Sequence, residues 1–275
     1  MSDPRPALEA IGQLPDTEID IADAALQLAR VDAPEADWVA ARAHLSELAR
    51  EAVARSAAVA PGDLAGRGAV LAELLCGQYG YQGDSDTYDD VANANLIRVI
   101  ERRQGLPVAL GILWLHAARA AGWEAHGVDF PGHFLVALGG KGAKAVLDVF
   151  AGGAMVEARG LRALLKRVEG DQAELRPGVL QPMNVRAVLL RLQNNIKVRR
   201  LRAGNLHAAL ACTEDMLRVA PDQAALWREV ALMHQRLDQV SAALRCFERF
   251  LLLVPEGEAA ARARLAMDEL RARLN

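Results

Sequence analysis

His133 and Asp148 are the residues of this chain whose types and spacing could do chemistry. An imidazole can take a proton from an attacking group, and a carboxylate beside it holds the ring in one tautomer and stabilises the imidazolium. Such a pair needs a nucleophile as its third member. The start of a buried helix suits one, because free amides and the helix dipole lower a thiol pKa there. The helix expected ahead of His133 opens on Pro107, and no Ser, Thr or Cys lies between Gly105 and Gly122. Proline brings neither a nucleophile nor an N–H. The cysteines do not fill the gap: Cys76 reads as a small buried hydrophobe in an apolar helix, and Cys212 and Cys246 are packing residues. His116 and His126 have no spacing that groups them with other ligands, so neither a metal nor a cofactor is expected. The acid-rich stretch 83–90 lacks the register of a calcium loop.

The elements that must position the pair follow from periodicity. Apolar residues recur at helical spacing over 19–30 and 38–54, with Pro34 between them, and over 64–79 after the Pro61-Gly62-Asp63 turn. A Gly- and Asp-rich loop over 80–86 precedes a further helix over 92–104. The helix over 107–121 is apolar around most of its circumference, which predicts burial on nearly all sides, and a proline suits its first turn. Three short strands are predicted at 124–129, 134–138 and 145–149, with Gly139-Gly-Lys-Gly142 as the last hairpin turn. Helices around a short antiparallel meander make an α+β, mostly helical fold.

From Asn184 onward no strand signal remains, and the chain repeats itself. Pro221 and Pro255 lie 34 residues apart, and at that offset Ala208/Ala242, Ala209/Ala243, Leu210/Leu244, Cys212/Cys246, Leu217/Leu251 and Val219/Leu253 correspond. This period, with small residues in the second helix and a closing proline, resembles the tetratricopeptide repeat. Residues 259–274 would be the capping helix. Two repeats and a cap are near the minimum for such a stack, so docking against the first domain is expected. The expected division is 1–180 and 184–275.

The net charge of −3 gives no global pull toward nucleic acid. Lys197-Val-Arg-Arg-Leu-Arg202 spreads its charges over more than one helix face without an aromatic platform, so nucleic acid is not the expected partner. Lys and Arg outnumber Asp and Glu 15 to 10 from Asn184 onward and are outnumbered 17 to 25 before it, which fits an acidic partner for the C-terminal part or attraction between the halves, with solvated helix faces the preferred reading. Scattered cysteines, an N-terminus without a leader pattern and an apolar stretch over 106–115 too short to span a bilayer predict a soluble cytoplasmic protein.

Asn93-Ala-Asn-Leu, Glu101-Arg-Arg-Gln-Gly-Leu-Pro107, Gly127-Val-Asp-Phe-Pro-Gly-His-Phe-Leu-Val136 and Leu147-Asp-Val-Phe-Ala-Gly-Gly153 together resemble the bacterial SirB-type family. That family joins a transglutaminase-like domain to tetratricopeptide repeats, and the resemblance covers most of the chain. In transglutaminase-like cores the nucleophile helix ends in a pattern like that of Arg119-Ala-Ala-Gly122. Counting back fifteen residues from Gly122 lands on Pro107. The resemblance implies that proline is normal at this position in the group. It also implies that His133 and Asp148 are the family-like catalytic pair, kept in a vestigial form. Arg103, Gly105, Pro107, Gly132 and Phe134 are the residues expected to line the cleft. Arg102 and Arg103 are expected to pair with the acidic loop.

The function expected from these features is that of a non-catalytic interaction protein or regulator, a pseudoenzyme with a protein or peptide partner in the repeat groove. The competing expectation is an unusual hydrolase or acyl transferase that uses the His133–Asp148 pair.

Overall fold

The computed structural model describes residues 3–140, 142–176 and 178–273. Its backbone divides into two compact units, residues 15–192 and residues 1–14 with 193–275. The expected boundary at 180–184 thus lies about ten residues further on, and the first fourteen residues belong with the repeats. The reason is a helix that sequence periodicity does not announce, α1 (Arg5–Gln13), which packs against a repeat helix.

The unit 15–192 begins with helices α2 (Ile21–Asp32), α3 (Trp38–Ser56) and α4 (Leu64–Ala72). Each starts on an aspartate, Asp20, Asp37 or Asp63, whose side chain accepts from first-turn amides. The helix expected to run on to residue 79 changes to π-helical geometry over Glu73–Gln78. Strand β1 (Gln82–Gly83), helix α5 (Leu96–Arg102) and strand β2 (Gln104–Gly105) lead into α6 (Pro107–Ala120). The two short strands pair in parallel, Gly83 beside Gly105.

Eleven of the fourteen residues of α6 are buried, as its all-round apolar sequence demands. Strands β3 (Ala125–Phe130), β4 (His133–Gly140), β5 (Ala143–Asp148) and β6 (Ala154–Met155) follow, then α7 (Ala158–Glu169) and β7 (Pro182–Met183). The sheet is antiparallel in the order β6-β5-β4-β3-β7. In the predicted hairpin turn, Lys141 lies outside the described residues. One sheet face meets α6, where Phe134 fits because Gly111 and Gly127 have no side chains: a Cβ at either would stand 2.2 or 2.7 Å from its ring. The other face carries Val128, Phe130, Leu135, Ala137 and Val146 against Leu161 and Leu165 of α7.

Helix α8 (Val185–Arg202) contributes its residues up to Leu192 to this unit. The repeat unit contains its remainder together with α9 (Leu206–Val219), α10 (Ala224–Arg236), α11 (Val240–Leu253), α12 (Glu258–Ala272) and α1. Ala209 and Ala243 are fully buried, and Cys212 and Cys246 are buried beside them, as the repeat pattern predicts. Helix α1 supplies the additional packing that a short stack needs. Gly12 lets it lie on α9, where a Cβ would come within 2.1 Å of the Arg218 carbonyl oxygen. Arg5 bonds Asp215 across the same contact at 3.1 Å. Lys197 is buried against Glu229, Arg199 bonds Asn195, and Arg200 reaches the Ala208 carbonyl. Much of the basic run is therefore engaged within its own unit. Among the described residues, no helix is long and apolar enough to cross a membrane, and no group of His, Cys, Asp and Glu could hold a metal ion.

Candidate functional site

His133 opens β4 immediately after a Pro131-Gly132 turn in which Gly132 takes φ +65°. Asp148 ends β5, the next strand of the sheet. The His133 Nε2–H donates to Asp148 Oδ1 at 2.9 Å. The same oxygen accepts the backbone N–H groups of Phe150 and Ala151 at 3.1 and 3.2 Å. Burial pushes the Asp148 carboxyl upward, but the hydrogen bond and charge of His133 and the two amides outweigh it and hold the pKa below the usual range. Asp148 is thus a fixed anion that commits Nε2 to itself and leaves Nδ1 as the ring's free nitrogen.

Alternation along β4 directs Phe134 to the α6 face, so His133, paired with Phe130, leaves on the face that also carries Leu135. Asp148 follows Leu147, which pairs with Val136, and therefore shares the His133 face. Two aromatic rings complete the surroundings. Phe150 meets the His133 ring edge-on at 6.3 Å between centroids, and Tyr88 meets Phe150 at 6.0 Å. Phe150 also fills the space over Gly83, where a Cβ would lie 2.5 Å from its ring. Gly83 is the β1 residue beside Gly105, so Phe150 stands between His133 and the strand pair that feeds α6. Sequence reasoning gave Phe150 no role of its own, although it lies in the Leu147–Gly153 passage that carries the resemblance, two residues after Asp148.

Pro107 is the first residue of α6 and is buried, as are Gly105 and Phe134. Leu106 carries no capping side chain; its N–H donates to the Asn93 carbonyl at 2.9 Å. Asn93, fully buried, donates through Nδ2 to Asp84 and to the Thr87 carbonyl. The two arginines divide. Arg102 pairs with Asp84 and Asp90 at 3.2 and 3.0 Å, as expected of the acidic loop. Arg103 turns elsewhere. It adopts left-handed backbone geometry, φ 58°, at the end of α5, and donates to His44 Nε2 at 2.6 Å and to the Tyr81 hydroxyl. Its guanidinium stands over the Tyr79 and Tyr81 rings. Burial first, then the Arg103 charge, lowers the His44 pKa to about 4. Arg103 therefore braces the helical side of the unit.

Cys76 lies in the π-helical stretch, and burial raises its thiol pKa, the opposite of what an activated nucleophile needs. Arg191 of α8 holds β4 from outside, donating to the His133 carbonyl at 2.8 Å and pairing with Asp129. Neither the cavity of about 410 Å³ nor that of about 480 Å³ is lined by Pro107, His133 or Asp148.

A helix-and-sheet core with an ordered His–Asp pair, followed by paired helices, defines a transglutaminase-like domain joined to tetratricopeptide repeats. Family models agree: residues 39–194 match the transglutaminase-like superfamily, and residues 196–268 match the tetratricopeptide repeat. The chain is 32% identical over 190 residues to a UPF0162 protein of Xylella fastidiosa (strain Temecula1), covering 68% of each chain. It is 29% identical over 242 residues to a UPF0162 protein of Vibrio cholerae, covering 88% of this chain and 89% of that one. A crystal structure of menin aligns with 90% of this chain and 70% of its own, with 10% identity and a TM-score of 0.42. The chain belongs to the UPF0162 (SirB-type) family of bacterial proteins within the transglutaminase-like superfamily.

Proposed function

We propose that this protein is a non-catalytic interaction protein, in which the transglutaminase-like unit is a scaffold and the repeats receive a protein or peptide partner. One observation carries the reading: α6 starts on a buried proline, and the helix contains no Ser, Thr or Cys. Loss of a triad nucleophile removes on the order of 10⁶-fold in rate. The pairing of His133 with Asp148 on the sheet face away from α6, and the Phe150 ring beside it, support a structural role for the pair. Tetratricopeptide repeats generally mediate protein–protein contacts. The exposed Leu252 and Leu265, 74% and 63% accessible, offer apolar contact on the repeat surface.

The ordered imidazole, with Nδ1 free, favours the second reading, an unusual hydrolase or acyl transferase that activates water. Both readings meet in one experiment. The full chain and its His133→Ala variant are incubated with peptide, amide and thioester substrates and product is quantified. No turnover above the buffer rate in either protein is expected; turnover abolished by His133→Ala overturns the scaffold reading.

A further inference from the structure

The cavity of about 410 Å³ in the repeat unit is bordered by α1, α9, α10 and α11 and falls in the size range of binding hollows. Its polar lining is already engaged. The Trp227 indole N–H donates to the Pro221 carbonyl at 2.8 Å. The His234 ring pairs with Gln239 at 2.5 Å and lies 3.6 Å from Glu214. Arg218 faces Asp215 at 3.4 Å and Glu9 at 3.8 Å. Burial and the nearby Glu214 charge raise the Cys246 thiol to about 11, so it packs as a neutral, apolar group. What remains is apolar and reachable: Pro221 and Trp227 are half-buried, with Leu217 and Cys246 beside them at 7% and 9% accessible.

One wall of this hollow is a mismatch. Helix α1 sits on α9 as an amphipathic helix sits in a groove. It buries Leu8 and Ile11, rests Gly12 on the Arg218 carbonyl and bonds Asp215 through Arg5 Nε at 3.1 Å. Yet the residues it presents to the cavity, one turn apart, are Glu9 and Gln13, both exposed. Polar side chains thus border an apolar hollow that they do not fill. Apolar residues at these two positions would share one helix face and extend the buried face of α1 into the hollow. The Glu9–Arg218 contact does not explain the polar choice, because Glu9 is 63% accessible and pairs this exposed contribute little. Asp215 sets a second requirement. It is 5% accessible, so a helix seated here must bring a cation to it.

We propose that this face of α9 and α10 is the partner groove of the repeats and that its partner is an amphipathic helix. That helix carries a cation for Asp215 and apolar residues where α1 has Glu9 and Gln13, and it displaces α1, the resident helix. The inference rests on the reading of the repeats as the partner-binding unit and names the partner's chemistry. Competition with α1 lowers the partner's apparent affinity by the fraction of molecules in which α1 is released.

A fluorescently labelled peptide of residues 3–14 with Glu9→Leu and Gln13→Leu, titrated into the full chain and read by anisotropy, tests this. The native chain is expected to bind it saturably. Gly12→Leu drives a side chain into the Arg218 carbonyl and expels α1, so this variant is expected to bind the peptide about tenfold tighter or more. The chain with Glu9→Leu and Gln13→Leu in its own α1 is expected to bind it about tenfold more weakly or less. That chain is also expected to melt about 2–4 °C or more above the native one. Ala10→Leu, exposed and off the cavity, is the control and leaves the melt unchanged. No saturable binding to the native or the Gly12→Leu chain up to about 1 mM overturns the proposal. So does equal affinity of the native and doubly substituted chains, or a melting shift no larger than that of the control. If Gly12→Leu does not fold, the native and doubly substituted chains make the same comparison. The turnover assay is untouched by these results, so failure here leaves the scaffold reading standing.

Discussion

The two units of this molecule use small residues for different purposes. In the transglutaminase-like unit, glycines make room for rings that arrive from distant parts of the chain. Phe134 enters against Gly111 and Gly127, Trp114 against Gly153, and Phe150 against Gly83. In the repeat unit, alanines and cysteines at recurring positions let neighbouring helices approach, and α9, α10, α11 and α12 each pack on the next. The first scheme locks the unit as a whole, because each contact joins separate elements of the unit. The second is additive, helix by helix. A His–Asp geometry can outlast its chemistry in a unit of the first kind, since the residues around it are held for packing.

The comparison breaks most sharply at Gly111. A leucine there would have to displace the Phe134 ring, which leaves 2.2 Å for a Cβ. Helix propensity favours leucine, so only overpacking can destabilise. Gly111→Leu is expected to lose about 3 kcal/mol or more in urea unfolding followed by far-UV circular dichroism. A loss below about 1 kcal/mol would mean that the interlock is loose and the units are not of different kinds.

At Asp148 the same logic separates scaffold from chemistry. One oxygen accepts three donors, so Asp148→Ala strands the His133 ring and two amides and is expected to cost about 2–3 kcal/mol. Asp148→Asn keeps an acceptor oxygen and is expected to recover at least half of that in the same urea melts. The carboxyl's depressed pKa also makes its contribution present at neutral pH and lost only as pH falls through the folded-state value.

Acid should also part the units. The His44 pKa is near 6.5 when unfolded and about 4 when folded, so between these values the unfolded chain binds more protons. Stability of the transglutaminase-like unit therefore falls as pH drops from 6.5 toward 4, by about 1–2 kcal/mol after allowance for solvent screening. His44→Gln should flatten this slope. In the repeat unit Asp215 has the opposite sign: burial raises its pKa against the pull of Arg5 and Arg218, so acid relieves a cost there. A pH series of urea melts in which both units weaken equally between 6.5 and 4 would remove the contrast.

The parts that were legible in the sequence carry their signals locally. Apolar periodicity with Pro34 and the Pro61-Gly62-Asp63 turn announces the first helices, Pro107 opens α6, and the 34-residue offset from Pro221 to Pro255 exposes the repeats. Order and strand placement brought His133 and Asp148 onto adjacent strands, where their contact is found. What was not legible depends on distant partners. Helix α1 is short, is preceded by Pro4 and carries Pro6 in its first turn, and is held by Asp215 some 210 positions away. Arg103 looks like its neighbour Arg102, yet its left-handed backbone turns it toward His44 and Tyr81. Helix α7 is an exception, because Leu161, Leu164, Leu165 and Val168 recur at helical spacing and give a local signal that the sequence reading passed over. Phe150 owes its position to the absence of a side chain at Gly83.

The finest comparison uses one residue type in both units. Asn95 and Asn205 each cap a helix, accepting amides in the first turn of α5 and α9. Asn205 is exposed and does only that, so Asn205→Ala is expected to cost about 1 kcal/mol. Asn95 is buried, 2% accessible, and its amide also donates to the Ala29 carbonyl of α2 at 3.0 Å. Removing it takes away a buried hydrogen bond as well as the cap, although the Ala29 carbonyl keeps the Ala33 N–H, so Asn95→Ala is expected to cost roughly 2 kcal/mol. The difference between the two substitutions, read from paired urea melts, measures what interlocking adds to a local interaction. Equal costs would show that a cap in the closed unit is worth no more than one in the additive stack.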